Sequence, residues 1–248
     1  AYIDGVITVF MILFGINFNI YFAIYIKNWK SALKNEEART YLGVIAAAIL
    51  MITVNIYHIY GNVASAFRYS SFQVAAVITT TGFYTADFNL WPEFSKTILL
   101  VTMIIGACAG STTGGIKCIR MVILLQVAKN EFKHILHPNA VLPVRVNKQV
   151  ISPSIQSTVL AFTFLYAVIV IISVLVMMGL GVGFLESIGT VISSIGNMGP
   201  GLGTCGPAFS WSELPDAAKW LLSFLMLLGR LELFTVLLLF TSGFWKKN

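Results

Sequence analysis

Long apolar segments alternate along this chain with short polar connections. A helical span of a bilayer needs roughly 20 mostly apolar residues, and four segments meet this requirement. They cover residues 5–26, 42–60, 157–183 and 219–244. A fifth apolar stretch, 97–128, is long enough but contains "GACAGSTTGG" at 106–115. Each glycine there costs a helix about 1 kcal/mol relative to alanine. The pattern predicts an all-α integral membrane protein in which one helix is broken halfway.

Composition agrees with this fold class and argues against an enzyme. Hydrophobic residues make up 57% of the 248 residues, charged residues make up 10%, and the mean hydropathy is +0.84. The sequence shows no Ser-His-Asp pattern, paired carboxylates or Cys-x-x-Cys motif, so neither a catalytic centre nor a zinc site is expected. Because the chain opens with Ala1 at the head of an apolar segment, we expect a piece of a longer polypeptide.

The distribution of basic residues predicts the orientation, because lysine and arginine in short loops stay on the cytoplasmic side. Two connections and the C-terminal tail carry eleven basic residues against three acidic ones. The basic residues are Lys27, Lys30, Lys34, Arg39, Arg120, Lys129, Lys133, Arg145, Lys148, Lys246 and Lys247. Segments 61–97 and 184–219 are poor in basic residues and are expected outside. The net charge of +6 therefore follows from topology, and no nucleic-acid partner is expected.

Each outer segment contains an apolar run too short to span the membrane, "SSFQVAAVI" at 70–78 and "FLESIGTVI" at 184–192. Runs near ten residues are typical of re-entrant half-helices. Aligning Gly82 with Gly196, an offset of 114, superposes a Val-Ile pair before each glycine. The sequence therefore predicts a repeat of helix, half-helix, glycine-bearing turn and helix, present twice.

The turn Thr79-Thr80-Thr81-Gly82 ends the first half-helix. Irregular backbone at membrane depth persists only when it is buried in protein or lines a water-filled cavity. Carbonyl groups in such a turn can replace the hydration shell of a cation, and glycine permits the dihedrals that this requires. The alternative is a Thr-rich extracellular turn, since such residues also collect in turns.

Three motifs, "TTTGF" at 79–83, "GSTTGGIK" at 110–117 and "GNMGPGLG" at 196–203, together resemble the Trk/Ktr superfamily of potassium uptake proteins, and most closely the Trk membrane subunit. In that family four K⁺-channel-like repeats surround one pore. The resemblance implies the last helix of a preceding repeat at 1–26, a third repeat at 42–128, a cytoplasmic connection at 129–150 and a fourth repeat at 151–248.

The resemblance also implies a set of site residues. The filter backbone would be Thr80, Thr81, Gly82 and Phe83 in one loop and Ser194, Ile195, Gly196 and Asn197 in the other. Their carbonyl groups would hold K⁺, the transported ion, and no cofactor is expected. An intramembrane gating loop would contain Gly106, Gly110, Ser111, Thr112, Thr113, Gly114, Gly115 and Lys117.

The alternative interpretation of the loop is close helix packing, because Gly106, Gly110 and Gly114 follow each other at spacing four. A phosphate-binding loop is excluded, since Ile116 separates the last glycine from Lys117. Arg230 lies between two apolar runs, where an arginine costs at least about 2.5–3.5 kcal/mol. It either borders the pore below the filter or forms a structural ion pair.

Family resemblance further implies a homodimer in the bacterial inner membrane, with its C-terminus in the cytoplasm and a cytosolic nucleotide-binding regulatory ring as partner. The competing function is a secondary cation transporter coupled to Na⁺ or H⁺. Such transporters commonly contain inverted repeats, whereas both repeats here start on the same side. A non-transporting membrane scaffold would give no reason for the two re-entrant half-helices.

Overall fold

The computed structural model describes residues 2–111, 113–140, 142–231 and 233–245, and most of these residues are helical. The helices are α1 Tyr2–Phe14, α2 Phe18–Tyr25, α3 Trp29–Leu33, α4 Glu36–Tyr60, α5 Val63–Ile78, α6 Glu93–Ile105, α7 Cys118–Leu136, α8 Pro153–Gly179, α9 Phe184–Gly196, α10 Asp216–Arg230, α11 Leu233–Leu238 and α12 Ser242–Trp245. Short 3₁₀ turns cover Phe88–Leu90, Gly203–Cys205 and Trp211–Glu213. A small antiparallel hairpin, β1 Arg145–Val146 with β2 Gln149–Val150, is a minor departure from the all-α prediction.

Within the described residues, the two helices α4 and α8 are each long and apolar enough to cross a membrane, and the bent pair α1 and α2 gives a third crossing if it forms one span. Helices α4 and α8 contain 25 and 27 residues, or about 37–40 Å at 1.5 Å per residue. The Asn35 side chain caps α4 by accepting the Ala38 N–H, and Ser152 caps α8 by accepting the Ile155 N–H. The spans predicted at 42–60 and 157–183 fall largely within these helices, although α8 ends at Gly179.

The span predicted over 5–26 is not one continuous helix. Helices α1 and α2 meet at an angle of 90°. At the corner, Gly15 packs so closely on Tyr41 that an added Cβ would collide with the tyrosine hydroxyl. The Asn17 side chain then starts α2 by accepting the Asn19 N–H. The bend therefore results from a tertiary contact with α4 together with a new helix cap.

The span predicted over 219–244 is also broken, because α10 ends at Arg230 and the short helices α11 and α12 follow it. Next to this end, Gly229 packs against the last turn of α9, where an added Cβ would collide with the Ile195 carbonyl oxygen. The stretch 97–128 divides as the sequence predicts, with α6 ending at Ile105 and α7 beginning at Cys118. Helix α7 continues to Leu136, so the connection predicted at 129–150 begins inside a helix.

Both half-crossings are helices that are too short to span the membrane. Helix α5 has 16 residues and begins seven positions before the predicted start at Ser70, because Asn62 caps it by accepting the Ala64 N–H. Helix α9 has 13 residues and extends beyond the predicted run to Gly196. The C-terminal part of α5 is deeply buried, and so is most of α9. Both half-helices therefore end inside the protein.

The two repeats share local structure beyond these helices. The caps Asn35 and Ser152 are 117 positions apart, and Pro92 and Pro215, which precede α6 and α10, are 123 apart. Each of these later helices carries an i,i+3 ion pair in its first turn. The pairs are Lys96–Glu93 at 2.7 Å and Lys219–Asp216 at 3.2 Å. The second repeat therefore has six additional residues between the start of α8 and the start of α10.

Candidate functional site

The first candidate filter loop is the turn that ends α5. Thr80 has φ +51° and Gly82 has φ +76°, so the backbone enters the left-handed region twice within three residues. The Thr81 N–H still donates to the Ala76 carbonyl at 2.9 Å, and the Thr79 and Thr81 hydroxyls lie 2.7 Å apart. Glycine adopts such a φ without steric cost. The loop is thus a defined turn that is braced from within by two hydroxyls.

The second candidate loop starts three residues later than the predicted alignment places it. Ser194, Ile195 and Gly196 belong to the last turn of α9, and the irregular backbone begins at Asn197. The left-handed residues here are Asn197 (φ +54°) and Gly199 (φ +121°).

Hydrogen bonds give the same register for the two loops. The Met198 N–H donates to the Ser193 carbonyl at 2.9 Å, which reproduces the bond from Thr81 to Ala76 at an offset of 117. The bonds that end the two helices, Thr80 to Val77 and Asn197 to Ser194, are both 3.0 Å and have the same offset. The structural counterpart of Gly82 is therefore Gly199, and the alignment of Gly82 with Gly196 is corrected.

The two loops meet at their backbones. An added Cβ at Gly82 would collide with the Met198 carbonyl oxygen. On the second loop, the Gly199 N–H donates to the Ser193 hydroxyl at 3.1 Å. The Asn197 amide donates to the Met226 carbonyl in α10 at 3.0 Å. Glycine at position 82 thus allows one loop to lie directly against the carbonyl of the other.

The predicted gating loop connects α6 and α7. Two backbone hydrogen bonds close its base, which we call the neck. Across the neck, the Ile116 N–H donates to the Ile104 carbonyl at 3.1 Å, and the Cys118 N–H donates to Ala107 at 3.0 Å. An added Cβ at Gly106 would lie only 2.5 Å from the Gly114 carbonyl oxygen. The loop is therefore closed at its base by backbone hydrogen bonds, and Gly106, Gly110 and Gly115 within it have positive φ.

The second half of this loop lies next to both candidate filter loops. An added Cβ at Gly114 would collide with the Gly196 carbonyl oxygen, and the Gly114 N–H points to the Thr80 hydroxyl at 3.4 Å. The Ser111 and Thr113 hydroxyls lie 2.8 Å apart. The predicted loop residue Thr112 is outside the described residues. The loop thus reaches the turns that end α5 and α9.

Lys117 and Arg230 line one cavity of about 200 Å³. Asn197 of the second loop and Gly114 of the intramembrane loop line the same cavity. The Lys117 ammonium donates to the Ser111 carbonyl at 3.0 Å. Positive side chains from both repeats therefore border a space that also touches the second turn.

Asn89 is a site residue that the sequence did not reveal, and it joins the loops that follow the half-helices of the two repeats. Its amide donates to the Gly203 carbonyl at 2.9 Å, and its carbonyl oxygen accepts the Gly203 N–H at 3.1 Å. Glu186 supports the same segment by accepting the Thr204 N–H at 3.3 Å. Nearby, burial raises the pKa of the Cys205 thiol. No short motif marks Asn89, because its partner lies 114 residues away.

The sequence matches the family described as TrkH, cation transport protein, over residues 1–247. It is 34% identical over 248 residues to the Trk system potassium uptake protein TrkH of Salmonella typhimurium, covering 99% of this chain and 51% of that protein. It is 35% identical over 239 residues to TrkG of Escherichia coli, covering 96% and 49% of the two chains.

A solved structure has the same fold. The crystal structure of the potassium transporter TrkH from Vibrio parahaemolyticus matches with a TM-score of 0.91 at 33% identity, over 98% of this chain and 53% of that one. The chain thus spans about half the length of the curated relatives that it matches. Together, the family match over residues 1–247 and these likenesses show that the chain belongs to the TrkH family of cation transport proteins.

Proposed function

We propose that the chain contributes two of the repeats around a potassium uptake pathway across the bacterial plasma membrane. The observation that carries this proposal is the pair of buried half-helices that end in turns with the same hydrogen-bond register and positive φ at the same positions, at Thr80–Gly82 and at Asn197–Gly199. Named relatives are potassium uptake proteins, which supports K⁺ as the transported ion. The C-terminus is proposed to be cytoplasmic because the basic connections are on that side.

In this proposal, ions bind to backbone carbonyl groups of Thr80, Thr81, Gly82 and Phe83 and of the corresponding segment 197–200. The second segment replaces Ser194, Ile195 and Gly196, whose backbone is helical. The Ser194 carbonyl, for example, already accepts the Asn197 N–H at the end of α9. Carbonyl groups in the turns, by contrast, are available to replace water around a dehydrated cation.

The loop 106–117 is proposed as the gate. Its contacts with Thr80 and Gly196 bring it against the ends of both half-helices. A loop at this position obstructs an ion that leaves the filter toward the cytoplasm. The loop can move while the neck bonds stay intact, because those bonds do not involve residues 108–113.

Arg230 is proposed to slow conduction electrostatically from the cavity that it lines. At about 8 Å and an effective dielectric constant near 20, like charges repel by about 2 kcal/mol, which lowers cation occupancy roughly thirtyfold. Arg230→Ala is expected to raise ⁸⁶Rb⁺ flux in proteoliposomes, and Arg230→Lys is expected to retain most of the restriction. A purely structural ion pair predicts lower thermal stability and no gain in flux.

We test the filter by ⁸⁶Rb⁺ uptake into proteoliposomes that contain the full-length protein, with K⁺, Na⁺ and Li⁺ as competitors. Gly82→Ser is expected to weaken discrimination against Na⁺, because the side chain would collide with the opposite loop. Gly43→Ser is the matched control, since an added Cβ there meets nothing within 4 Å. If Gly82→Ser leaves uptake and its selectivity unchanged, or if uptake requires a Na⁺ or H⁺ gradient, the secondary transporter is favoured.

The proposed partners are a second copy of the membrane subunit and a cytosolic nucleotide-binding regulatory ring. This part of the proposal is supported by the family resemblance and by the basic cytoplasmic face. A groove on that face is lined by Lys30, Lys34, Arg39 and Lys148. Retention of the full-length protein by immobilised regulatory subunit, at moderate salt, is the expected result. Passage through the column without retention would refute this docking.

A further inference from the structure

A buried carboxylate at the cytoplasmic end of α4 contacts the intramembrane loop. Glu37 is only 3% exposed, although its neighbour Glu36 is half-buried. One Glu37 carboxylate oxygen accepts the Ala109 N–H at 2.5 Å, and the other accepts the Asn17 amide at 3.3 Å. A carboxylate is costly to bury without partners, and here its partners belong to the loop and to the corner between α1 and α2.

The first half of the loop has two further contacts with the same corner. The Cys108 N–H donates to the Gly15 carbonyl at 3.1 Å. An added Cβ at Gly110 would be 3.4 Å from the Asn17 carbonyl oxygen. Residues 108–110 are thus attached to the corner between α1 and α2, whereas Gly114 lies against the candidate filter turns. The loop consequently has an attached half and a filter-facing half.

Glu37 lies in the first turn of α4. It is the second residue of α4 after the cap Asn35, and the positive end of the helix dipole stabilises an anion there. Hydrogen bonds to a charged acceptor are also stronger than those between neutral groups. Among the described contacts of the loop, the bond from Ala109 is the one that joins it to an acidic side chain.

We propose that Glu37 is the positioning residue that holds the intramembrane loop beneath the filter turns. The inference deepens the proposed function and rests on the loop acting as a gate. When the carboxylate is present, residues 108–110 remain attached and Gly114 stays against Gly196. When it is removed, the Ala109 N–H loses its acceptor and the blocking conformation becomes less populated.

The test compares Glu37→Ala and Glu37→Gln with Glu36→Ala in the full-length protein. Glu36 is the matched control because it has the same charge in the same helical turn, but it contacts Gln126 and the hairpin turn rather than the loop. Without regulatory subunit, Glu37→Ala is expected to raise ⁸⁶Rb⁺ flux about tenfold, unless flux first reaches the ceiling set by the loop-deleted protein. Glu37→Gln, which keeps an oxygen acceptor, is expected to raise it less, and Glu36→Ala is expected to leave it unchanged.

A protein that lacks residues 108–113 shows whether Glu37 acts through the loop. The deletion can be made because Gly106 and Gly114 are in contact at the neck, so the two ends can be rejoined. In the deleted protein, Glu37→Ala is expected to add nothing. An equal effect with and without the loop would show that Glu37 acts elsewhere and would overturn the proposal.

Hydrogen exchange of the peptide that covers 106–117 separates the anchor from the gate. Glu37→Ala is expected to accelerate exchange there at least about tenfold, because the Ala109 N–H loses its acceptor. Glu36→Ala is expected to leave the exchange rate unchanged. Unchanged exchange would refute the anchor whatever the flux. If exchange is faster in Glu37→Ala but deletion of the loop leaves flux unchanged, Glu37 does hold the loop and the loop does not act as a gate.

Discussion

Replacing Gly199 by alanine, and separately Gly196, tests which glycine of "GNMG" corresponds to Gly82. Gly199 has φ +121°, and an added Cβ there meets no atom within 4 Å. The cost of alanine is therefore backbone strain without collision, about 1–3 kcal/mol for such a conformation. Gly196 ends α9, and the nearest atom to an added Cβ is 3.9 Å away. Alanine at position 196 should thus be neutral, or stabilising by up to about 1 kcal/mol.

The assay is ⁸⁶Rb⁺ uptake with Na⁺ as competitor, together with thermal unfolding. If the strain of Gly199→Ala is relieved by distorting the turn, a change of 1–3 kcal/mol in ion binding corresponds to a roughly 5–150-fold loss of discrimination. Gly196→Ala is expected to keep the wild-type discrimination and the wild-type unfolding temperature or a higher one. Loss of selectivity in Gly196→Ala, with Gly199→Ala unaffected, would refute the offset of 117 and restore the alignment at 114.

Two further substitutions test the contacts around these turns. Asn89→Ala removes both hydrogen bonds to Gly203. We expect a free energy of unfolding about 1–3 kcal/mol lower, measured by thermal unfolding, and weaker Rb⁺ uptake. An unchanged melting temperature would show that these two hydrogen bonds do not stabilise the protein. Gly114→Ala places a Cβ against the Gly196 carbonyl oxygen, so the loop is expected to leave its position and Rb⁺ flux to rise. Reduced flux in a protein of normal stability would contradict that geometry.

The features that follow from local sequence were predictable. The long helices α4 and α8 follow from their apolar length and begin at the polar caps Asn35 and Ser152. The break after Ile105 follows from glycines, whose cost to a helix is intrinsic. The half-helices were found but were underestimated in length, because polar residues in the first turns of α5 interrupt the apolar run without interrupting the helix.

The features that depend on tertiary contacts were not predictable. The corner at Gly15 depends on Tyr41, and the end of α10 lies where Gly229 packs against Ile195. Both partners are distant in sequence, so the apolar runs 5–26 and 219–244 appear continuous. Glu37 was counted only as one acidic residue in a basic connection, because its burial results from the fold of a loop seventy residues away.

The register of the second loop shows why matching side chains can misplace a turn whose shared feature is its backbone geometry. Matching side chains, Val-Ile before a glycine, selected Gly196, but the conserved geometry is the positive φ at the first and third loop positions. In that register the first loop reads Thr80-Thr81-Gly82 and the second reads Asn197-Met198-Gly199, with only the glycine shared.

The two turns do not need the same side chains, because different hydrogen bonds stabilise each of them. Thr79 and Thr81 pair their hydroxyls in the first loop, and Ser193 accepts the Gly199 N–H in the second. A carbonyl group contributes the same ligand whatever side chain follows it. The differences between the loops therefore do not by themselves imply unequal ion coordination. Glycine, by contrast, is expected at the third position of both loops because it adopts a positive φ there without strain.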